Sequence, residues 1–128
     1  MKQQYDQILV TPKPFVKWAG GKRQLIPTLN QNLPESFGTY YEPFLGGGAL
    51  LFHILTKKNS QKCSVSDLNS DLVLAYTVIR DRPDALITSL KNHEKNYQTD
   101  LDSYYYSIRQ SNPRSEIEKT SRLIFLNR

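Results

Sequence analysis

The sequence has one cysteine, Cys63, among its 128 residues, so the chain cannot form an internal disulfide. It has no apolar run long enough to span a bilayer, and its first residues lack the apolar core of a secretory signal peptide. His53 has no potential metal ligands at a suitable spacing, so no metal site is predicted. Because small secreted domains usually depend on disulfides, we expect a cytoplasmic protein that has no membrane partner.

The charge balance is basic but modest. The chain carries 17 Lys and Arg residues against 12 Asp and Glu residues, which gives a formal net charge of +5. Residues 1–80 hold nine basic and five acidic side chains, and residues 81–128 hold eight and seven, so most of the excess lies in the first part. A basic balance permits a nucleic-acid partner, although ordinary surface charge explains it equally well.

The most informative stretch is residues 39–48. Tyr40 and Tyr41 favour a strand, and the proline that follows Glu42 ends it because proline cannot donate a ladder hydrogen bond. Three glycines then allow positive φ angles and a close approach of a ligand to the backbone. The apolar residues 49–55 predict a helix packed on a sheet. In an open α/β sheet the ligand crevice lies at the carboxyl ends of the strands, so we expect a ligand site here.

A second strand is predicted over residues 63–66. Asp67 would end it beside the end of the first strand, where its carboxylate can accept hydrogen bonds from ribose hydroxyls. Asn69 is expected to cap a helix over residues 70–80. The residues that this helix is expected to bury are Leu72, Val73, Ala75, Tyr76 and Ile79.

The glycine-rich loop matches the dinucleotide fingerprint G-x-G-x-x-G/A only in part. Gly46 and Gly48 fit, but the third position is Leu51. Asp67 lies about 20 positions further on, where the fingerprint expects an acidic residue, but any adenosine ligand offers ribose hydroxyls to a carboxylate. A nicotinamide cofactor is therefore a weaker alternative, as is a tight turn whose glycines serve packing alone.

Residues 17–23 superficially resemble a phosphate-binding loop but fail its pattern twice, at Val16 and at Arg23. Two glycines permit a tight turn before Lys22, where backbone N–H groups and an ammonium favour a bound carboxylate. Trp18 offers a flat apolar face to an adenine or a sulfonium, with plain core packing as the alternative.

The remainder of the sequence predicts helices, with no strand signal after residue 80. Pro27 predicts a kink or a helix restart, and Pro83 suits the first turn of a helix that ends near residue 95. Four tyrosines lie between residues 97 and 106, and we expect them to pack between helices rather than to contact DNA. Residues 115–118 have the form of a capping box that opens a last helix.

Three motifs in this order and spacing resemble those of the adenine-specific DNA methyltransferases of the Dam type, the D12 class. They are PFVKWAGGKR at residues 14–23, EPFLGGG at 42–48 and SDLNSDL at 66–72. The resemblance implies methyl transfer from S-adenosylmethionine to adenine N6 in double-stranded DNA. It also implies an α/β fold: a partial Rossmann-like S-adenosylmethionine-dependent methyltransferase fold over residues 1–80, followed by the start of a helical target-recognition domain over residues 81–128.

The resemblance also assigns residues to the two ligands. The positions that it implies for cofactor binding are Trp18, Gly20, Gly21, Lys22, Glu42, Pro43, Phe44, Gly46, Gly48, Asp67 and Asn69. The positions expected to meet DNA are Lys17, Arg109 and Arg122.

The family's catalytic tetrapeptide, Asp-Pro-Pro-Tyr or a close variant, does not occur in this sequence, and none of its seven prolines are adjacent. We therefore expect an amino-terminal portion of the enzyme that is inactive alone. The alternatives are a non-catalytic remnant that binds cofactor or DNA, and one half of a split methyltransferase. The strand that ends at Glu42 would have a free edge, so we expect a dimer or pairing with a complementing carboxyl-terminal half.

Overall fold

Two short parallel strands lie side by side, as the sequence predicted. The computed structural model describes residues 11–57 and 62–127, and in them β1 (Thr39–Glu42) pairs with β2 (Lys62–Val65) in a two-stranded sheet. The register places Glu42 opposite Val65. β2 ends one residue earlier than predicted, but the Ser66 N–H still donates to the Glu42 carbonyl at 2.9 Å. Both strands therefore end at the same level.

Six α-helices lie in the described residues and make the fold mixed α/β. Their bounds are α1 Ile26–Asn32, α2 Ala49–Lys57, α3 Ser70–Asp81, α4 Pro83–Thr99, α5 Leu101–Gln110 and α6 Glu116–Leu126. A 3-10 helix, Lys22–Leu25, leads directly into α1. Pro27 lies in the first turn of α1, so the predicted restart is confirmed. No strand follows residue 80 in the described chain, as expected.

Side-chain caps begin three of the helices. The Asn69 side chain accepts from the Leu72 N–H at 3.0 Å and begins α3, as predicted. At α6 the Ser115 hydroxyl accepts from the Glu118 N–H at 3.2 Å and lies 2.8 Å from the Glu118 carboxylate, which confirms the predicted cap. Asp100 begins α5 in the same way, and this cap was not predicted from the sequence.

Helix α3 buries Leu72, Ala75 and Val78, which are completely inaccessible to solvent. The expectation that Val73 would also be buried is wrong, since 40% of it is exposed, and Ile79 is only half-buried. A helix turns by about 100° per residue, so the face that carries positions 72, 75 and 78 points away from position 73. Positions 72, 73, 75, 78 and 79 are all apolar. The helix that packs against α3 therefore decides which of these side chains are covered.

Helix α6 is that partner. It packs against both α3 and α4 and buries Thr120, Ser121 and Phe125. The domain boundary expected at residues 80 and 81 remains a prediction, and α6 makes extensive contacts across it.

Phe125 is the centre of an aromatic cluster in the helical region. The His93 ring stacks on it with centroids 4.9 Å apart, and Tyr97, Tyr104 and Tyr105 lie at 5.6, 5.8 and 6.2 Å. Helix packing is therefore the role of three of the four tyrosines, as the sequence analysis favoured.

A polar network adjoins the aromatic cluster at His93. Its Nδ1 lies 2.8 Å from the Tyr104 hydroxyl and its Nε2 lies 3.3 Å from the Ser121 hydroxyl. The Ser89 hydroxyl donates to Ser121 Oγ at 2.8 Å. Burial lowers the pKa of His93. Burial thus favours the neutral ring, in which one nitrogen donates and the other accepts.

We expect His93→Gln to reduce the pH dependence of stability. Below the ordinary histidine pKa of 6.5 the unfolded chain binds a proton that folded His93 resists, so the free energy of unfolding falls as the pH falls. The variant lacks this linkage. Urea denaturation at about pH 7.5 and about pH 5 should show a smaller difference for His93→Gln than for the wild type.

His53→Gln is the variant for comparison, because the pKa of His53 is also lowered, by burial and then by Lys57. The comparison separates the contributions of the two histidines to the pH dependence of the free energy of unfolding. An unchanged pH dependence in His93→Gln would contradict this assignment.

The free edge of β1 leads to a second prediction. In the described residues β1 has β2 on one side and no strand on the other, and Tyr41 is 71% exposed. An unpaired edge offers N–H and C=O groups to a second chain, and a lysine on such an edge opposes pairing. We expect the chain to form dimers in sedimentation equilibrium and Tyr41→Lys to weaken them. Tyr106→Lys is the control, since Tyr106 is also exposed but lies on α5. A monomeric wild type at high concentration would show the reasoning to be wrong.

Candidate functional site

The glycine-rich loop that joins β1 to α2 crosses the end of β2. The Leu45 N–H donates to the Ser66 carbonyl at 3.0 Å, and Leu45 itself is buried. Gly46 and Gly48 have φ angles of +55° and +75°, a conformation that residues with a Cβ rarely adopt. Pro43 and Phe44 are exposed, and the Ser66 hydroxyl donates to the Pro43 carbonyl at 3.1 Å. The loop is thus held on the segment that follows β2.

Asp67 ties the two loops together through its carboxylate. Oδ2 accepts from the Gly46 N–H at 2.8 Å, and Oδ1 accepts from the Asn69 N–H at 2.9 Å. These backbone hydrogen bonds, that of Asn69 first, lower the pKa of Asp67. The side chain therefore stays ionised, and each oxygen retains capacity to accept a further hydrogen bond. The sequence predicted its place at the strand end but not its bond to Gly46.

Glu42 and Lys22 form an ion pair at the end of β1. Glu42 is 5% exposed, its Oε1 lies 3.0 Å from Lys22 Nζ, and its Oε2 accepts from the Tyr40 hydroxyl at 2.8 Å. The Lys22 ammonium also donates to the Phe44 carbonyl. Burial, and then the hydrogen bond to Glu42, raises the pKa of Tyr40. A buried carboxylate needs such partners, because an unpaired one would be strongly destabilising.

The segment that carries Trp18 lies across the glycine-rich loop. A methyl group on Gly46 would lie 3.5 Å from Trp18 Cδ1, and one on Gly47 would lie 3.3 Å from the Val16 carbonyl. Gly47 therefore lies where the two motifs cross. It was not among the predicted site residues, although its place between two predicted glycines was a usable signal.

The turn after Trp18 contains two predicted site glycines. The Gly21 N–H donates to the Trp18 carbonyl at 3.2 Å, and Gly20 has a φ of +74°. Around Gly20 a methyl group would meet no atom within 4 Å. This turn brings Lys22 back toward Glu42.

Gly48 has a packing role that the sequence analysis missed. A methyl group there would lie 2.3 Å from the Tyr76 hydroxyl oxygen and 3.3 Å from the Phe52 ring. The Tyr76 hydroxyl donates to the Gly46 carbonyl at 3.4 Å, and its ring meets that of Phe15 edge-on at 4.8 Å. The group that lies close to the Gly48 backbone is therefore the side chain of Tyr76, a residue of the protein itself. Tyr76 was expected to be a helix core residue, and it supports the loop as well.

A cavity of about 930 Å³ lies beside the loop, within the volume range of small-molecule sites. Its lining includes Trp18, Gly20, Gly21, Gly47, Phe52 and Asn127. Glu42, Gly46 and Asp67 do not line it among the described residues. The predicted cofactor residues therefore divide between this cavity and the ends of the two strands. Asn69 belongs to the second group, and the oxygen of its side chain is committed to the cap of α3.

The three residues expected to meet DNA have different surroundings. The side chains of Lys17 and Arg109 are exposed. Arg122 is half-buried, and its guanidinium donates to the carbonyls of Ile108 and Arg109 at 2.9 and 2.6 Å. Its contact with DNA stays a prediction. The last carbonyls of a helix lack partners and carry partial negative charge, so a cation is favoured there. Arg122 thereby closes the end of α5.

No group of three or more His, Cys, Asp and Glu side chains is arranged to hold a metal ion in residues 11–57 and 62–127. In the same ranges no helix combines the length and apolar character that a bilayer crossing requires.

The model of the D12 class N6 adenine-specific DNA methyltransferases matches residues 18–128. The chain belongs to this family. It is 37% identical over 122 residues to the type II methyltransferase M1.LlaDCHI of Lactococcus lactis, with 91% of this chain and 40% of the relative covered. It is also 37% identical over 131 residues to the type II methyltransferase M.MjaIII of Methanocaldococcus jannaschii, with 91% and 45% covered.

A DNA adenine methylase of Haemophilus influenzae is 30% identical over 118 residues, with 91% of this chain and 40% of the relative covered. The chain thus spans less than half the length of these three relatives. The match confirms the family that the three motifs indicated.

Two glycines with nearly equal φ angles allow the packing role of Gly48 to be tested. Gly20→Ala and Gly48→Ala both place a Cβ at positive φ, which destabilises by about 1–2 kcal/mol. Only Gly48→Ala also creates a contact with Tyr76. We expect Gly48→Ala to lower the free energy of unfolding clearly more than Gly20→Ala in urea denaturation. Combining Gly48→Ala with Tyr76→Phe should recover part of the difference, and equal losses in the two single variants would contradict the packing role.

Proposed function

We propose that the protein is a DNA adenine methyltransferase and that this chain supplies its S-adenosylmethionine-binding part. The observation that supports the proposal most is the meeting of three separate motifs at one end of the sheet. Lys22 reaches Glu42 at 3.0 Å, and Asp67 accepts from Gly46 at 2.8 Å. The fold is proposed to be the first part of a Rossmann-like methyltransferase sheet, with its ligand at the carboxyl ends of the strands.

The ribose of the cofactor is proposed to lie at Asp67. The carboxylate is ionised and can accept hydrogen bonds from hydroxyl groups in addition to its two backbone bonds. Leu68, next to it, is 94% exposed, and Phe44 is 68% exposed. Large apolar side chains in water beside a hydrogen-bonding carboxylate suit the faces of an adenine ring.

The methionine end of the cofactor is proposed to lie near Lys22 and Trp18. The Lys22 ammonium has three donors, of which Glu42 and the Phe44 carbonyl take two, so one remains for the cofactor carboxylate. Trp18 lies against Gly46 and presents a ring that favours a sulfonium cation. Glu42 then holds the lysine in place.

The methyl acceptor is proposed to be the exocyclic amine of adenine in double-stranded DNA. Lys17 and Arg109, which are exposed, are proposed to contact phosphates. The groups that hold the amine are proposed to come from the family's Asp-Pro-Pro-Tyr-type motif, which these 128 residues do not contain. Residues 81–128 would begin the target-recognition domain, and a cytoplasmic location fits both the DNA substrate and the lone cysteine.

Titration calorimetry with S-adenosylmethionine tests the proposal. We expect saturable binding, and we expect Leu68→Ser and Asp67→Asn to weaken it, the latter by about 5- to 150-fold because a hydrogen bond to a charged group contributes roughly 1–3 kcal/mol. Leu101→Ser is the control, since Leu101 is also exposed but lies on α5. Leu68→Ser should leave the free energy of unfolding unchanged, which separates loss of binding from loss of fold.

Binding of NAD in place of S-adenosylmethionine would overturn the proposal in favour of the dinucleotide alternative.

A second measurement concerns catalysis. Because the Asp-Pro-Pro-Tyr-type motif is absent from these residues, the chain incubated with duplex DNA and labelled S-adenosylmethionine should transfer no methyl group above a control without protein. Methyl incorporation would refute the assignment of the catalytic groups to another segment.

A further inference from the structure

Asn127, directly after α6, holds the backbone of Lys17 with both ends of its side-chain amide. Its Oδ1 accepts from the Lys17 N–H at 2.5 Å, and its Nδ2 donates to the Lys17 carbonyl at 3.1 Å. The two residues are 110 positions apart in the sequence. A neighbouring strand makes the same two bonds to one residue in an antiparallel sheet. The Asn127 side chain therefore makes the two backbone hydrogen bonds that a neighbouring strand would make at Lys17.

The two hydrogen bonds from Asn127 to the Lys17 backbone are called the clamp below. Lys17 lies in a segment without regular secondary structure. On one side of Lys17 the Val16 carbonyl faces Gly47, and on the other the Trp18 ring faces Gly46. The position of Trp18 over the glycine-rich loop thus depends on how residues 16–18 are held. Asn127 supplies both hydrogen bonds that the Lys17 backbone makes within the described chain.

The other end of the clamp is firmly anchored. Asn127 follows Leu126, the last residue of α6, and α6 is packed against α3 and α4 through buried Phe125, Thr120 and Ser121. Asn127 also lines the cavity beside Trp18. The clamp therefore connects the helical region directly to the wall of the candidate cofactor site.

We propose that Asn127 is a positioning residue through which the helical region holds Trp18 against the glycine-rich loop and orients exposed Lys17. The part that concerns cofactor and DNA rests on the proposed function, whereas the placement of Trp18 does not. The clamp makes cofactor contact by Trp18 and phosphate contact by Lys17 depend on one side chain at the end of α6.

Trp18 is the only tryptophan of the chain, so its fluorescence reports on this segment alone. We expect Asn127→Ala to shift the emission to longer wavelength and to increase quenching by acrylamide. Asn127→Asp keeps an acceptor for the Lys17 N–H but places a second acceptor against the Lys17 carbonyl, so a larger change is expected. Asn127→Gln retains both hydrogen-bonding groups on a longer side chain and should recover part of the wild-type spectrum.

Asn32→Ala is the matched control, because Asn32 also lies at the end of a helix but its amide donates to Thr28 of the same helix at 2.8 Å. Its Trp18 fluorescence should equal that of the wild type. Calorimetry with S-adenosylmethionine should show affinity lowered about three- to tenfold in Asn127→Ala, the loss of an ordinary pair of exposed hydrogen bonds, and unchanged in Asn32→Ala.

Fluorescence of Asn127→Ala and Asn127→Asp that matches the wild type would overturn the proposal, as would an equal change in Asn32→Ala. A variant that unfolds is recognised by its circular dichroism, and Asn127→Gln then decides between the outcomes. If the wild-type chain binds no S-adenosylmethionine, the proposed function fails, while the fluorescence comparison still decides whether Asn127 positions Trp18.

Discussion

The candidate site depends on the hydrogen bonds that the Asp67 carboxylate accepts from two loops. One N–H belongs to Gly46 in the loop after β1, and the other belongs to Asn69 at the start of α3. Hydrogen bonds to an ionised acceptor are stronger than those between neutral groups, and here they also keep the carboxylate ionised. A charge at this point therefore has a structural role before any ligand binds. The same geometry leaves acceptor capacity on both oxygens, so the structural and the proposed ligand roles are compatible.

A second layer of contacts supports this arrangement from inside. Tyr76 fills the space at Gly48, and Lys22 satisfies the buried Glu42 carboxylate. Both contacts join parts of the chain that are distant in sequence. The glycine-rich loop is therefore shaped by its protein neighbours on the inner side, whereas Phe44 in the loop and Leu68 after Asp67 are exposed to solvent.

Local signals predicted much of this architecture. Pro27, Asn69 and the capping box at Ser115 fixed helix starts because each acts through bonds within a few residues of its own position. The ends of the two strands were also predicted from residues next to them, Pro43 after β1 and Asp67 after β2. The positions of Glu42 and Asp67 at one edge of the sheet could therefore be predicted before their contacts were known.

Contacts between elements that are distant in the sequence could not be predicted. Val73 is as apolar as Leu72, and only the docking of α6 decides which of them is covered. Arg122 was expected to meet DNA, which stays a prediction, and nothing in the sequence indicated that its guanidinium would donate to the carbonyls at the end of α5. Tyr76 and Gly48 show no sign in the sequence that one fills the space left by the other. Such pairs depend on the three-dimensional arrangement of helices, which periodicity within one helix does not specify.

The packing of α6 on α3 has a consequence for how the chain folds. Leu72, Ala75 and Val78 belong to the part with the cofactor motifs, yet the helix that packs against α3 comes from the part expected to recognise DNA. Removal of the second part would expose this apolar surface to water, and the first part would lose a large share of its core. The functional boundary proposed at residues 80 and 81 therefore crosses an apolar core that helices on both sides share, so the two parts stabilise each other.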